Sequence, residues 1–197
     1  GGGDFSVTSG FVAVSNLQAQ IDGLQSRASL GISSVEEQAG LIELVALRGL
    51  ILGQIADYQW AEKQAERLVR EFRTADCAFI ARARAYGTFH RFTEGLADLE
   101  EAERLGAPRE TVDGERAGVF QALGRYDEAL ALFGAAVERR RDFISLGALA
   151  TLHAEMGETA RAEQLFAETR SNYRGVSPIP LALLDFQQGH MWMAQGD

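Results

Sequence analysis

Apolar residues recur at intervals of three and four along most of the chain, in blocks separated by short polar turns, so the pattern predicts helices throughout. Residues 1–12, Gly-rich at the start, read as a flexible leader. Ser15-Asn16-Leu17-Gln18 has the form of a capping box. With Val14, Leu17, Ile21 and Leu24 it predicts a capping helix within 13–33, ending before Gly31. Ser34-Val35-Glu36-Glu37 is a second capping box, opening a long helix through Leu41, Leu44, Val45, Leu47, Leu50, Ile51 and Ile55. Its apolar side chains lie nearly all round, as expected of a helix covered on several sides. The following helix, about Trp60 to Arg73, is amphipathic: Ala61, Ala65, Leu68, Val69 and Phe72 face inward, while Glu62, Lys63, Glu66, Arg70 and Glu71 face water. Further helix pairs are expected at 76–87 with 93–105, 109–123 with 127–139, and 143–156 with 159–171, with Asp142 and Thr159 as caps. A loop over 172–180 precedes a last helix over 181–194.

These pairs share an internal marker, Gly124-Arg125-Tyr126-Asp127-Glu128-Ala129-Leu130, followed by Phe133 and Ala136. One interval downstream it is echoed by Gly157-Glu158-Thr159-Ala160-Arg161-Ala162 with Phe166. One interval upstream stands His90-Arg91-Phe92-Thr93-Glu94-Gly95 with Leu99 and Ala102, and another interval back Ala56-Asp57-Tyr58-Gln59-Trp60-Ala61 with Ala65 and Leu68. A fixed period of this kind, roughly 34 residues, marks a chain built from repeated supersecondary units. A glycine can end one helix in the left-handed region, Asp127 or its neighbour can cap the next, and Ala129 lets two helices approach closely. The first-helix halves also match: Gly49 with Leu52, Ala83 with Tyr86, Ala117 with Phe120, Ala150 with His153 and Gly189 with Trp192.

This periodicity resembles the tetratricopeptide repeat (TPR) family, whose unit is a helix-turn-helix of about 34 residues. The resemblance covers 42–197 and departs at Arg48, Arg82 and Arg116, which stand where the family prefers Leu, and in its sparse closing prolines, Pro108 and the displaced Pro178. It implies an all-α, right-handed α-solenoid over 34–197, with repeats about 42–75, 76–109, 110–142 and 143–181 and a partial one over 182–197. It also implies a non-catalytic scaffold that binds a peptide or partner segment in a concave groove lined by the first helix of each repeat. Expected groove positions are Ala46, Leu50, Ile80, Arg84, Gly114, Gly118, Gln121, Gly147 and Thr151. Some family members grip a peptide carboxylate with lysines and asparagines, and these positions carry neither, so a smoother groove is expected. Alternatives are a regulatory or targeting domain of a longer enzyme or secretion machine, and a subunit that assembles with its own copies.

Charge narrows the partners. Lys and Arg number 19 against 28 Asp and Glu, a net charge of −9, which argues against a nucleic-acid partner. Lys63 is the only lysine and Cys77 the only cysteine, so no internal disulfide can form. No apolar run approaches the ~20 residues of a membrane span. The chain opens Gly1-Gly2-Gly3-Asp4. That opening fits a cloning remnant in a cytoplasmic protein, or the residues after a removed signal in a periplasmic or lipid-anchored bacterial lipoprotein. The apolar content of the last helix, with Leu184, Phe186, Met191, Trp192 and Met193, predicts self-association through it.

No catalytic constellation stands out, and no cofactor is expected. His90, His153 and His190 occupy repeat-framework positions. His190-Met191-x-Met193 with His153 and Met156 has the composition of a soft-metal site, but methionine at helical spacing is more often core filler. Arg48, Arg82 and Arg116, each one repeat from the next, form a ladder with Arg84 beside it. Either each pairs with an acid of its own or the next repeat, or together they form a candidate anion-reading stripe.

Overall fold

In the computed structural model, which describes residues 4–175 and 179–195, the described residues form ten α-helices and no strand. These are α1 Asp4–Ser29, α2 Val35–Leu52, α3 Ile55–Glu71, α4 Asp76–Thr88, α5 Phe92–Arg104, α6 Arg109–Ala122, α7 Tyr126–Arg139, α8 Phe143–Glu155, α9 Thr159–Asn172 and α10 Ile179–Gln195. The displaced Pro178 lies outside the described residues. The chain divides into two compact units, one of Val14–Arg116 and one of Gly1–Ala13 with Ala117–Asp197, the divisions falling inside α1 and α6.

In the Val14–Arg116 unit, hairpins α2–α3 and α4–α5 enclose a core centred on Ala65, Leu68, Leu99 and Val112, all at most 1% exposed. Each hairpin closes on small residues. A Cβ added to Gly95 of α5 would lie 3.3 Å from the carbonyl oxygen of Ala83 in α4, so the two helices meet almost backbone to backbone. Ala61, Ala129 and Ala162 hold the same repeat position and are buried. Arg91, just before α5, ties the hairpins together: Nη1 donates to Glu62 of α3 at 2.6 Å, Nη2 to Glu94 at 2.8 Å, and the guanidinium lies 3.9 Å from the centre of the Tyr86 ring in α4.

In the other unit, α8 and α9 pack around Phe166, Leu146, Leu152 and Leu165, with Phe133 and Val137 of α7 and Leu184 and Met191 of α10 closing the core. Ala13, Leu17 and Ile21 are buried at fourfold spacing, which carries one apolar stripe of α1 upstream of Ser15. Ser15 therefore lies within a helix and its capping-box pattern goes unused, and helix is present from Asp4 where a leader was expected.

Helix ends follow their local chemistry. Ser34 accepts from the Glu37 N–H while the Glu37 carboxylate accepts from the Ser34 N–H, and Asp142 forms the equivalent box with Ser145. Two expected caps are corrected. Thr159 is the first helical residue of α9, after Glu158, and Asp127 lies inside α7, after Arg125; neither flanking residue caps through its side chain. Arg125 instead bonds Glu128 at 2.5 Å and lies 4.4 Å from the Phe120 ring centre. The long helix also ends earlier than its apolar pattern suggested. Gly53, at φ 66°, breaks it after Leu52, so Ile55 starts α3. Gly124 and Gly157 turn their hairpins at φ 71° and 77°, and His90 occupies the same place at φ 58°.

Candidate functional site

The first helices of the two hairpins, α2 and α4, leave a groove between them, floored by α3. A cavity of about 270 Å³ opens there, lined among others by Ala46, Leu47 and Leu50 of α2, Tyr58 of α3 and Arg84 and Thr88 of α4. The lining is almost wholly apolar because α2 carries apolar side chains on the face that α3 does not cover. Leu50 is 58% exposed at its edge, and Ile51, Leu52 and Ile55 nearby in the chain are exposed as well. Burial pushes the Tyr58 phenol above its ordinary pKa.

One polar cluster interrupts this lining. Arg84 donates from Nε and Nη2 to Glu115 Oε1 at 2.9 and 2.7 Å and from Nη1 to Glu43 Oε2 at 2.8 Å. Burial works against the Arg84 charge, but the bond to Glu115 and the two carboxylates outweigh it and raise its pKa. One guanidinium thus answers two carboxylates, leaving a net negative charge at the groove. At its other end, burial and then the nearby Glu36 and Asp76 carboxylates push the Cys77 thiol pKa up.

Among the expected groove positions, Ala46, Leu50 and Arg84 line this cavity. Ile80 does not; it is buried in the core of the unit. Gly114 and Gly118 of α6 have open space where a Cβ would stand, and Gln121 is half-buried. Gly147 and Thr151 face α10 instead: a Cβ on Gly147 would lie 3.8 Å from Leu184, and Thr151 Oγ1 donates to Gln187 at 3.1 Å. Repeat register puts them in an open groove, but α10 packs against both and leaves them half-buried. The repeat register does not point to Glu43, Leu47, Tyr58, Thr88 and Glu115 as groove residues. Glu43, Leu47 and Leu50 fall on one helical face, a signal masked by the apolar character of α2 all round.

The arginine ladder is internally paired. Arg48 holds Asp57 with both arms, Nε at 2.8 and Nη2 at 2.6 Å, and its Nη1 donates to Gln18 of α1 at 3.0 Å. Arg82 grips Asp98 with the same distances, 2.8 and 2.6 Å, and lies near the rings of Phe79 and Tyr86. Arg116 meets Glu103 at 2.6 Å and Asp113 at 3.6 Å. Hydrogen bonding to their aspartates raises the pKa values of Arg48 and Arg82. Every rung therefore has an acidic partner of its own.

Among the described residues no group of three or more His, Cys, Asp or Glu side chains is placed to hold a metal, and no helix is long and apolar enough to cross a membrane. The His-Met set is not gathered: Met191 is buried in the core, Met193 is 67% exposed, and His153 meets Glu158 at 2.5 Å.

This architecture is that of the α-helical repeat proteins. No family model and no curated protein matches the chain. Solved structures do, and the chain has the fold of the tetratricopeptide repeat proteins. It is similar to a tetratricopeptide repeat protein from Parabacteroides merdae ATCC 43184, with TM-score 0.68 and 19% identity over 92% of this chain and 66% of that one, so it spans just under two thirds of that protein's length. A thermophilic TPR protein of Thermus thermophilus matches with TM-score 0.68 and 18% identity over 93% of this chain and 94% of its own. BtubC from P. vanneervenii matches with TM-score 0.55 and 16% identity, over 92% and 85%.

Proposed function

We propose that the chain is a non-catalytic protein-interaction scaffold that takes a segment of a partner polypeptide along the groove between α2 and α4. The observation that carries this reading is the apolar cavity bordered by Leu47, Leu50 and Tyr58, open to solvent with Leu50 58% exposed at its edge. Exposed apolar surface that gathers around a concavity, rather than being scattered singly, is characteristic of an interaction site. The paired arginine ladder is assigned a structural part in the scaffold, since each guanidinium already has its acid.

Photo-crosslinking tests the proposal. A benzophenone amino acid placed at Leu50 should trap a polypeptide in cells, while one at exposed Lys63 of α3 should not. Equal labelling from both positions would overturn the groove as the binding face. A second reading, assembly of copies of this chain through α10, is favoured by Phe186, Trp192 and Met193, which are 64%, 40% and 67% exposed.

A further inference from the structure

The groove between α2 and α4 is chemically graded along its length. Glu36, Glu43 and Leu50 stand seven positions apart on α2 and so share one face. At ~1.5 Å of helix rise per residue they are about 10 Å apart along the groove. One end has Glu36 and Asp76 near Cys77; the middle has Glu43 and Glu115 sharing Arg84, where Glu43 and Arg84 border the cavity; the far end is the apolar part of that cavity at Leu47, Leu50 and Tyr58. Among the described residues Arg84 is the only cation lining the cavity, and it is fully engaged by its two carboxylates. Glu43 is 57% exposed, so it can accept further donors from the groove side. The whole chain adds a net charge of −9.

We infer that the groove selects a segment pairing an aliphatic or aromatic anchor, seated in the cavity beside Leu50, with basic side chains farther along that meet Glu43 and Glu36, at about 10 and about 20 Å from Leu50. In a polyproline-II segment, at ~3.1 Å per residue and about three residues per turn, that spacing puts the basic residues about three and six positions from the anchor and on the same face as it. The anchor contributes contact area. The basic residues set direction and reject acidic segments, because a carboxylate brought against Glu43 and Glu115 would meet like charge in a partly dry groove. This inference rests on the groove being the binding face.

Fluorescence anisotropy with the full chain and three labelled synthetic peptides tests it. One peptide carries Leu with Arg at three and six positions from it, one has Glu in place of both Arg, and one has Ser in place of Leu. The Leu-Arg peptide should bind at least about tenfold more tightly than either of the others, and should weaken as salt is raised. Glu43→Lys, at an exposed position, should cost the Leu-Arg peptide about tenfold and improve the Leu-Glu peptide. Failure of the Leu-Arg peptide to bind, or equal binding of the Arg and Glu peptides, would overturn the charge selection. If the Glu peptide binds and Ala46→Arg, checked for folding by circular dichroism, abolishes that binding, the groove stands as a binding face and only the charge selection falls. If binding of the Leu-Arg peptide survives both Ala46→Arg and Leu50→Asp, the groove is not the site, and both readings fall.

Discussion

The Arg82 guanidinium and the Asp98 carboxylate meet through two parallel hydrogen bonds of 2.8 and 2.6 Å across the α4–α5 hairpin, with the Asp98 side chain only 6% exposed. Such a pair contributes most when one member is removed, because the survivor is left charged and desolvated. Arg82→Ala is expected to lower unfolding free energy by about 3 kcal/mol in urea titrations. Replacing both residues with leucine should recover part of that loss. Glu101→Ala, which breaks an exposed pair with Arg104, should leave the urea midpoint unchanged within error.

His90 is the one non-glycine among the described residues with a left-handed backbone. Its ring meets Phe92 edge-on at 5.4 Å, which offsets part of the strain. His90→Gly should raise stability by up to about 1 kcal/mol, and Gly124→Ala should lower it by a similar amount, both read from thermal unfolding.

Asp142 sits at the start of α8, where burial disfavours its charge but the Ser145 N–H and hydroxyl and Arg140 more than compensate, so its pKa lies below the ordinary 3.8. A depressed carboxylate pKa stabilises the fold fully above the unfolded value, and that contribution fades as pH falls through the folded value. Asp142→Ala should therefore cost about 1 kcal/mol at neutral pH. The gap to the parent chain should shrink as the medium is acidified below about pH 4, followed by fluorescence in a pH series.

Gly147 lies under α10, where an added Cβ would stand 3.5 Å from Thr169 and 3.8 Å from Leu184. A larger side chain must push one of these neighbours away. Gly147→Val should accelerate amide hydrogen exchange in 179–195 while leaving 55–71 unchanged. Gly118→Val, with open space at its Cβ, should alter neither segment.

The helical frame was legible because both of its signals are local. Threefold and fourfold apolar spacing and the capping boxes at Ser34 and Asp142 act over short stretches of chain, and they place most helix ends within one or two positions. Errors arose where a local motif competed with a longer stripe, as at Ser15, or where a glycine cut an apolar run, as at Gly53. The candidate site was less legible. Arg48 and Arg82 keep the repeat spacing, but their acceptors Asp57 and Asp98 lie farther apart than one repeat, so no periodicity could pair them. Thr151 and Arg84 share a repeat position, yet Thr151 bonds Gln187 of α10 while Arg84 borders the cavity. A contact of that kind depends on the next helix, which a repeat pattern does not specify.

Arg91 has a consequence for how the chain comes apart. One side chain reaches an acid in α3, a ring in α4 and an acid in α5, so fraying of the first hairpin takes contacts from the second as well. Coupling of this kind between neighbours ties the melting of one repeat to the next, and a truncation between the two is expected to weaken whichever hairpin is left.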